Sequence, residues 1–293
     1  MPFKMDFQVI TANINHTFNL CGLVDMIKTI GPELVFVQEA GHSSDELTSL
    51  VSHLNYSGFT SLDGDQPGVG VIYKNSLEIL EIHAWQPGRI LYVKLSDVSF
   101  VNVYAPSGQT KKHERNIFYS ETLLRNLSVK SCLPILLGDF NCILKRDDTT
   151  ANFGSKFCRP LHDLVNVMNY TDAWTHLHPG VVEFTFFRRG VAPSRLDRIY
   201  VPGHLVSEIQ SIRHQATTSD HRAVIMGLNL DTVNYIPERH SAYWKLNVSI
   251  LSHADFMPNF TCLWTNLLSK EANFDTTDIW WEECGSLHSN IFA

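Results

Sequence analysis

The chain has 293 residues and a formal charge of −7 at pH 7, which allows one large α/β domain of about 200–250 residues plus a tail. No stretch approaches the roughly 18 consecutive apolar residues that a membrane helix needs, and Met1 to Phe7 lack the cationic-then-apolar order of a secretory signal, so an intracellular protein is expected. The acidic balance excludes a protein that coats nucleic acid by charge alone, because phosphate binding draws on Lys and Arg.

Phe7 to Ala12 reads as a strand, Leu20 to Ile30 as an amphipathic helix ended by Gly31-Pro32, and Leu34 to Gln38 as a buried strand. Ser43 to Leu54 opens a second helix, with Ser43 and Glu46 spaced as a capping box. Gly68 to Tyr73, Leu77 to His83, Ile90 to Leu95 and Ser99 to Tyr104 are strand candidates in close succession, as in antiparallel neighbours of one sheet. A long helix is expected from about Gln109 to Leu127, then a strand from Pro134 to Leu137 that delivers Gly138-Asp139-Phe140-Asn141 at its end. A helix near Leu161 to Met168 and strands near Phe184 to Phe187, Arg195 to Val201 and Ala223 to Leu230 complete the pattern. Two helical layers around two β layers is the natural packing, an α/β fold in which two packed mixed sheets are flanked by helices.

After Leu230 the character changes. Residues 231–293 hold 8 acidic and 3 basic side chains, against 22 and 20 in residues 1–230, so the first part is nearly neutral. The later segment shows scattered aromatics without strand alternation and is read as a helical linker from a longer polypeptide. The domain expectation is therefore 1–230 and 231–293. Six cysteines are present and no two have the C-x-x-C spacing of a zinc or redox site, so reduced thiols are the default.

Polar residues gather at strand ends: Asn13 and Asn15 after the first, Glu39 after the second, Tyr104 before Ala105-Pro106, Asp139 and Asn141, and Ser219-Asp220-His221 before the last. Strand ends on one side of a sheet converge, which would unite carboxylates, carboxamides and one imidazole around a hard cation and a phosphate. Each signal alone has an ordinary reading: Asp-Phe-Asn as a turn, Glu39 as a cap partner, Tyr104 as a half-buried strand residue. The ordered combination is far more specific.

Asn13-Ile14-Asn15, Gln38-Glu39, Asn102-Val103-Tyr104-Ala105-Pro106, Gly138-Asp139-Phe140-Asn141, Ser194-Arg195-Leu196-Asp197-Arg198-Ile199 and Ser219-Asp220-His221 together resemble the endonuclease/exonuclease/phosphatase superfamily over about residues 5–230. Within it, Ser194-x-x-Asp197 and Phe184-Thr185-Phe186-Phe187 look like the endonuclease domains of LINE-type retrotransposon proteins. Tyr243-Trp244-Lys245-Leu246-Asn247 is similar to the segment that joins such a domain to a reverse transcriptase. Asn15 stands where repair-type members carry an acid, and His16 where glycine is common.

The resemblance implies a four-layer α/β sandwich and an enzyme that nicks double-stranded DNA to leave a 3′-hydroxyl and a 5′-phosphate, priming reverse transcription. It implies Mg²⁺, with Mn²⁺ able to substitute, on Glu39 as the main ligand with Asn13, Asn15 and Asp220 beside it or reaching it through water. Asp139 would orient and deprotonate the attacking water. Asn141 and Tyr104 would donate to the phosphoryl oxygens, and His221, paired with Asp197, would stabilise their charge.

Arg188, Arg189, Arg195 and Arg198 surround a hairpin expected from Thr185 to Arg195, either gripping DNA or forming a solvated charged loop; Thr185 and Ser194 complete the expected DNA contacts. Lys111, Lys112, His113 and Arg115 open the long helix, where its N-terminus can attract phosphate. A monomer acting in the nucleus is expected. An abasic-site repair endonuclease or 3′–5′ exonuclease, a phosphatase of the same superfamily, or a non-catalytic binding descendant are the competing readings.

Overall fold

The computed structural model describes residues 6–15 and 20–230, with isolated positions at 234, 235, 261, 264, 265 and 269. His16 and the segment Tyr243–Asn247 lie outside the described residues. The chain divides into two compact units, Met1–Pro237 and Glu238–Ala293, and the architecture below is that of the first.

Among the described residues twelve strands form two six-stranded sheets. The first sheet holds β1 (Asp6–Asn13), β2 (Leu34–Ala40), β3 (Tyr56–Asp63), β4 (Gln66–Lys74), β11 (Ile209–Gln215) and β12 (Ala223–Asn229), in the order β11-β12-β1-β2-β4-β3. The second holds β5 (Glu81–Gln86), β6 (Ile90–Lys94), β7 (Ser99–Tyr104), β8 (Ile135–Asp139), β9 (Tyr170–Asp172) and β10 (Asp197–Pro202), in the order β5-β6-β7-β8-β10-β9. Each sheet is mixed. β1 lies parallel to β2 and β7 parallel to β8, while the remaining pairs are antiparallel.

The period-2 alternation of apolar residues decides which face goes where. Phe7, Val9, Leu34 and Phe36 meet Leu91, Val93, Phe100, Ile135 and Leu137 between the sheets, with Phe7 stacked on Phe100 at 6.2 Å between ring centroids. Their neighbours Ile10, Ala12, Val35 and Val37 turn outward onto α1 (Leu20–Ile30) and α2 (Ser44–Val51). On the second sheet Val101, Val103 and Leu136 face α4 (Leu124–Ser128), α6 (Arg159–Val167) and the turn of π-helix that joins α3 (Lys112–Ile117) to α4. Each such side chain contributes about 1.5–3 kcal/mol by leaving water, and the sum holds four layers in the order helix, sheet, sheet, helix. Ser43 and Glu46 form the expected capping box, the Ser43 backbone N–H donating to Glu46 Oε2 at 2.8 Å.

Three strands were not legible in the pattern. β3 and β11 are sheet edges, one rich in Ser, Gly and Thr and the other shifted in register between Ile209 and Ser211, so neither keeps an apolar alternation; β9 is only three residues long. Of the four candidates expected side by side, β4 joins the first sheet, and β5, which starts at Glu81 and not Leu77, makes an antiparallel run with β6 and β7 in the second. The expected strand at Phe184–Phe187 is replaced by isolated bridges from Phe186 to Ser194 and to His221. Its backbone serves two different partners, with Thr185 N–H donating to Ser194 O and Phe187 N–H to Asp220 O, so no ladder extends.

Candidate active site

The C-terminal ends of β1, β2, β7 and β8 carry Asn13, Glu39, Tyr104 and Asp139, and direct hydrogen bonds show that they converge. Asn13 Nδ2 donates to Glu39 Oε1 at 3.1 Å and to Asp139 Oδ2 at 3.0 Å. The Tyr104 hydroxyl donates to the same Glu39 Oε1 at 3.1 Å. Beneath them a buried polar clamp ties one sheet to the other: Gln38 Nε2 donates to Asn102 Oδ1 at 2.6 Å, and Asn102 Nδ2 donates to the carbonyls of Val37 and Gly70 at 2.9 Å each.

Local backbone geometry aims these groups. The β2–β4 register shifts between Gln38 and Ala40, and Glu39 within that bulge has φ 55°. A bulge re-aims one side chain, and a left-handed conformation in a non-glycine residue costs on the order of 1 kcal/mol, a strain kept where the surroundings enforce it. Asn15 and Asn141 share the left-handed region at φ 43° and 49°, which carboxamide residues tolerate best. Gly138, at φ 133°, lets β8 approach β7 just before Asp139; a Cβ there would sit 2.1 Å from Val103 O.

Asp139 is fully buried and accepts from Asn141 N at 2.9 Å and Asn141 Nδ2 at 3.1 Å. Burial lifts its pKa above the ordinary carboxylate range, while the charge of His221 and hydrogen bonds from the Asn141 backbone and the Asn13 amide pull it back. Asp197, paired in register with Asp139 on the neighbouring strand, receives His221 Nδ1 at 2.9 Å. Burial pushes the imidazole toward its neutral form, but Asp197, with Asp139 and Asp220 behind it, outweighs that and raises the pKa to about 10. His221 is therefore an imidazolium at neutral pH. With Nδ1 committed to Asp197, its Nε2–H is the free end, and the Phe186 ring lies against it at 5.0 Å.

These groups open into a cleft of about 380 Å³ lined by Asn15, Glu39, Asp139, Asn141, Asp220 and His221, with Lys156 and Arg188 also on its walls. For a cation, both hydrogen bonds to Glu39 fall on Oε1, which leaves Oε2 for a hard ion. Asp220 lies at the same mouth, held by Asn15 Nδ2 at 3.2 Å. Ligand atoms of Asp139, Asp197 and His221 also lie within 4.8 Å of one another. That trio is a carboxylate–imidazolium–carboxylate stack, not a metal cage, because Nδ1 already faces both Asp197 oxygens.

Several expected roles change. Asn13 turns its amide nitrogen to two carboxylates, and its oxygen accepts from Asn15 N at 3.0 Å, so it braces Glu39 against Asp139. The single Tyr104 proton is engaged by Glu39, and burial, then the nearby carboxylates, raise its pKa strongly, so it stays a phenol and positions Glu39. Asn141 Nδ2 donates to Ala105 O at 2.9 Å as well as to Asp139, so it is the amide oxygen that remains for an incoming water.

Thr185 and Ser194 are fully buried, and the Thr185 hydroxyl accepts from Leu196 N and Asp197 N at 3.0 Å each, locking the start of β10. Arg195 and Arg198 are 4% and 1% exposed. Arg195 reaches Asp148 at 2.9 Å and Asp172 at 2.8 Å, and Arg198 reaches Asp148 at 2.9 Å and the carbonyl of Cys142 at 2.8 Å. These four residues are scaffold, not DNA grips. Arg188 and Arg189 are exposed, as expected of the hairpin. Arg115 is buried against Pro106 O and Gly108 O, so it braces the loop before α3. Asp148 and Lys156 escaped the sequence reading; the Asp147-Asp148 pair was visible, but nothing in linear order joins it to arginines about fifty positions later.

Three similarities place this geometry. Over 307 aligned residues the chain is 28% identical to the Transposon TX1 uncharacterized 149 kDa protein of Xenopus laevis, covering 99% of this chain but spanning only 23% of that protein. An AP endonuclease from Archaeoglobus fulgidus superposes with a TM-score of 0.68 at 16% identity, over 76% of this chain and 100% of that one. A 3′-5′ exonuclease from Neisseria meningitidis gives 0.63 at 18%, over 76% and 100%. At these identities the two structures establish the fold. The model of the Endonuclease/Exonuclease/phosphatase family matches residues 10–221, the span that holds every strand-end residue described above, and the chain belongs to that family of phosphoester hydrolases.

Proposed function

We propose that this unit is a divalent-metal-dependent DNA endonuclease that hydrolyses one phosphodiester bond to leave a 3′-hydroxyl and a 5′-phosphate, and that it nicks target DNA to prime reverse transcription of a retrotransposon. The observation that carries the chemistry is the union of Glu39, Asp139, Asn141 and His221 in one open cleft. The similarity to a transposon protein supports the setting.

Glu39, with Asp220 and Asn15 beside it, would hold Mg²⁺, for which Mn²⁺ can substitute, and the ion supplies Lewis-acid polarisation of the phosphate. Asp139 takes one proton of the attacking water as its oxygen bonds to phosphorus and the P–O3′ bond breaks, and the departing 3′-oxygen takes its proton from solvent water. Its burial raises its basicity, and the adjacent imidazolium keeps enough of it ionised near neutrality. Asn141 Oδ1 accepts from that water and orients it. His221 Nε2–H donates to a phosphoryl oxygen as negative charge develops, with Asp197 fixing the ring. Double-stranded DNA is the partner, met in the nucleus by a monomer.

The test is Mg²⁺-dependent relaxation of supercoiled plasmid by the whole chain. Glu39→Gln and His221→Ala should abolish nicking while the protein stays folded. Robust nicking by both would end this reading. Cleavage confined to abasic duplex would move the substrate to DNA repair, and hydrolysis of small phosphate esters alone would leave only the coarser phosphoesterase chemistry.

A further inference from the structure

Most of the cleft's cations are accounted for. His221 serves Asp197, and Arg115, whose partners are likewise backbone carbonyls, is buried at 4% exposure. Arg188 stands on the exposed part of the hairpin. Lys156, at the end of α5 (Phe153–Lys156), is different. Its ammonium is half-buried in the cleft wall, donating to Ser194 Oγ at 2.8 Å and to Ala192 O at 3.4 Å.

Both acceptors are neutral, and among the described residues no carboxylate pairs with it. Partial burial without a counter-charge lowers its pKa, since desolvation disfavours the charged form. The anchor itself is rigid: the fully buried Ser194 also bonds Thr149 Oγ1 at 2.9 Å and its backbone pairs with Phe186. An ammonium fixed in place, short of an anion, beside groups that handle a phosphate, has one kind of ligand that completes it.

We propose that Lys156 binds a non-reacting backbone phosphate of the DNA strand seated in the cleft, and that Ser194 is its positioning residue. This rests on the nuclease reading and deepens it. It also explains why the motif serine is buried: it reaches DNA only through the lysine it holds.

The experiment measures binding of the whole chain to duplex DNA in EDTA, where no cleavage intrudes, between about 50 and about 500 mM salt. One lost phosphate contact lowers the slope of log K against log salt by about 0.9, so over this tenfold range Lys156→Gln should lose about eightfold less affinity than wild type. Lys156→Arg should keep the wild-type slope. With Mg²⁺ and DNA below saturation, nicking by Lys156→Gln should fall together with its affinity, the loss appearing as a raised KM. An unchanged slope in Lys156→Gln, or an unchanged KM, overturns the proposal.

If Lys156→Gln does not fold, amine acylation of the wild-type chain decides: duplex DNA should protect Lys156 from the reagent, and equal labelling with and without DNA overturns it. A wild-type chain that neither binds nor cuts duplex sinks the nuclease reading itself, whereas a wild type that cuts with Lys156 unprotected removes only this contact.

Discussion

Two buried charge clusters lie a few residues apart along β10. In one, Asp139, His221 and Asp197 stack at the floor of the cleft; in the other, Asp148 and Asp172 enclose Arg195 and Arg198. The ingredients are alike, acids alternating with a base. The second neutralises itself and has no outlet to the cleft floor, with Asp148 held well below the ordinary carboxylate range despite its burial because two guanidiniums face it. The first keeps an unengaged Nε2–H and a carboxylate of raised pKa at the surface of a cleft. Charges that neutralise one another make a scaffold, even where Asp148 and Arg195 border a second cavity, and a free donor beside a basic carboxylate makes a site.

The comparison breaks most sharply at its two acids. Asp139→Asn keeps the volume and removes the base, so plasmid nicking should fall at least about 100-fold, with urea unfolding little changed. Asp148→Ala should do the reverse, leaving two buried guanidiniums short of a counter-charge and destabilising the fold by about 3–5 kcal/mol in urea titration. Equal losses of stability in the two variants would erase the distinction.

Asp197→Asn sharpens the role of the first cluster. His221 then loses the partner that holds its pKa near 10, so the imidazolium is lost as pH rises through a lower value. Nicking rates should fall above about pH 7 in the variant while the wild type holds its rate further into alkali. A pH–rate profile with the same alkaline limb in both would count against imidazolium stabilisation.

A third buried base gives a smaller effect of opposite sign. His214 stacks on Trp174 at 4.0 Å, and its pKa is depressed to about 4, first by burial and then by Arg195. The unfolded chain therefore binds a proton that the folded chain refuses between about pH 6.5 and 4. The stability tied to neutral His214 is complete above that window and is lost as pH falls through it, by about 3 kcal/mol at most. His214→Phe keeps the stack and should flatten this limb in urea titrations at pH 7 and 4.5. Smallest of all, Arg188→Ala should weaken duplex binding roughly threefold at moderate salt with the fold untouched.

Much of the site was legible because its residues follow apolar runs. A strand buried on both faces ends where the chain meets water, so Asn13, Glu39, Tyr104, Asp139 and Asn141 announce themselves by breaking the pattern, and the capping box at Ser43 is local chemistry readable in four residues. The arginines of Ser194-Arg195-Leu196-Asp197-Arg198 misled for the opposite reason. Charged residues in a loop-like stretch suggest a surface, and only the fold brings Asp148 and Asp172 to neutralise them.

By itself, the amino-acid order determined the alternation of strands and helices, the four-layer packing and the identity of the acids and the imidazole, because these depend on hydrophobic period and local turn chemistry. Which atoms of those residues remain free was decided by tertiary structure. Donors on Asn13, Asn141 and Tyr104 are engaged by partners far along the chain, and among the described residues the Lys156 ammonium meets only neutral oxygens, those of the hairpin. Hydrogen-bond saturation is a property of neighbours in space, and linear order does not carry it.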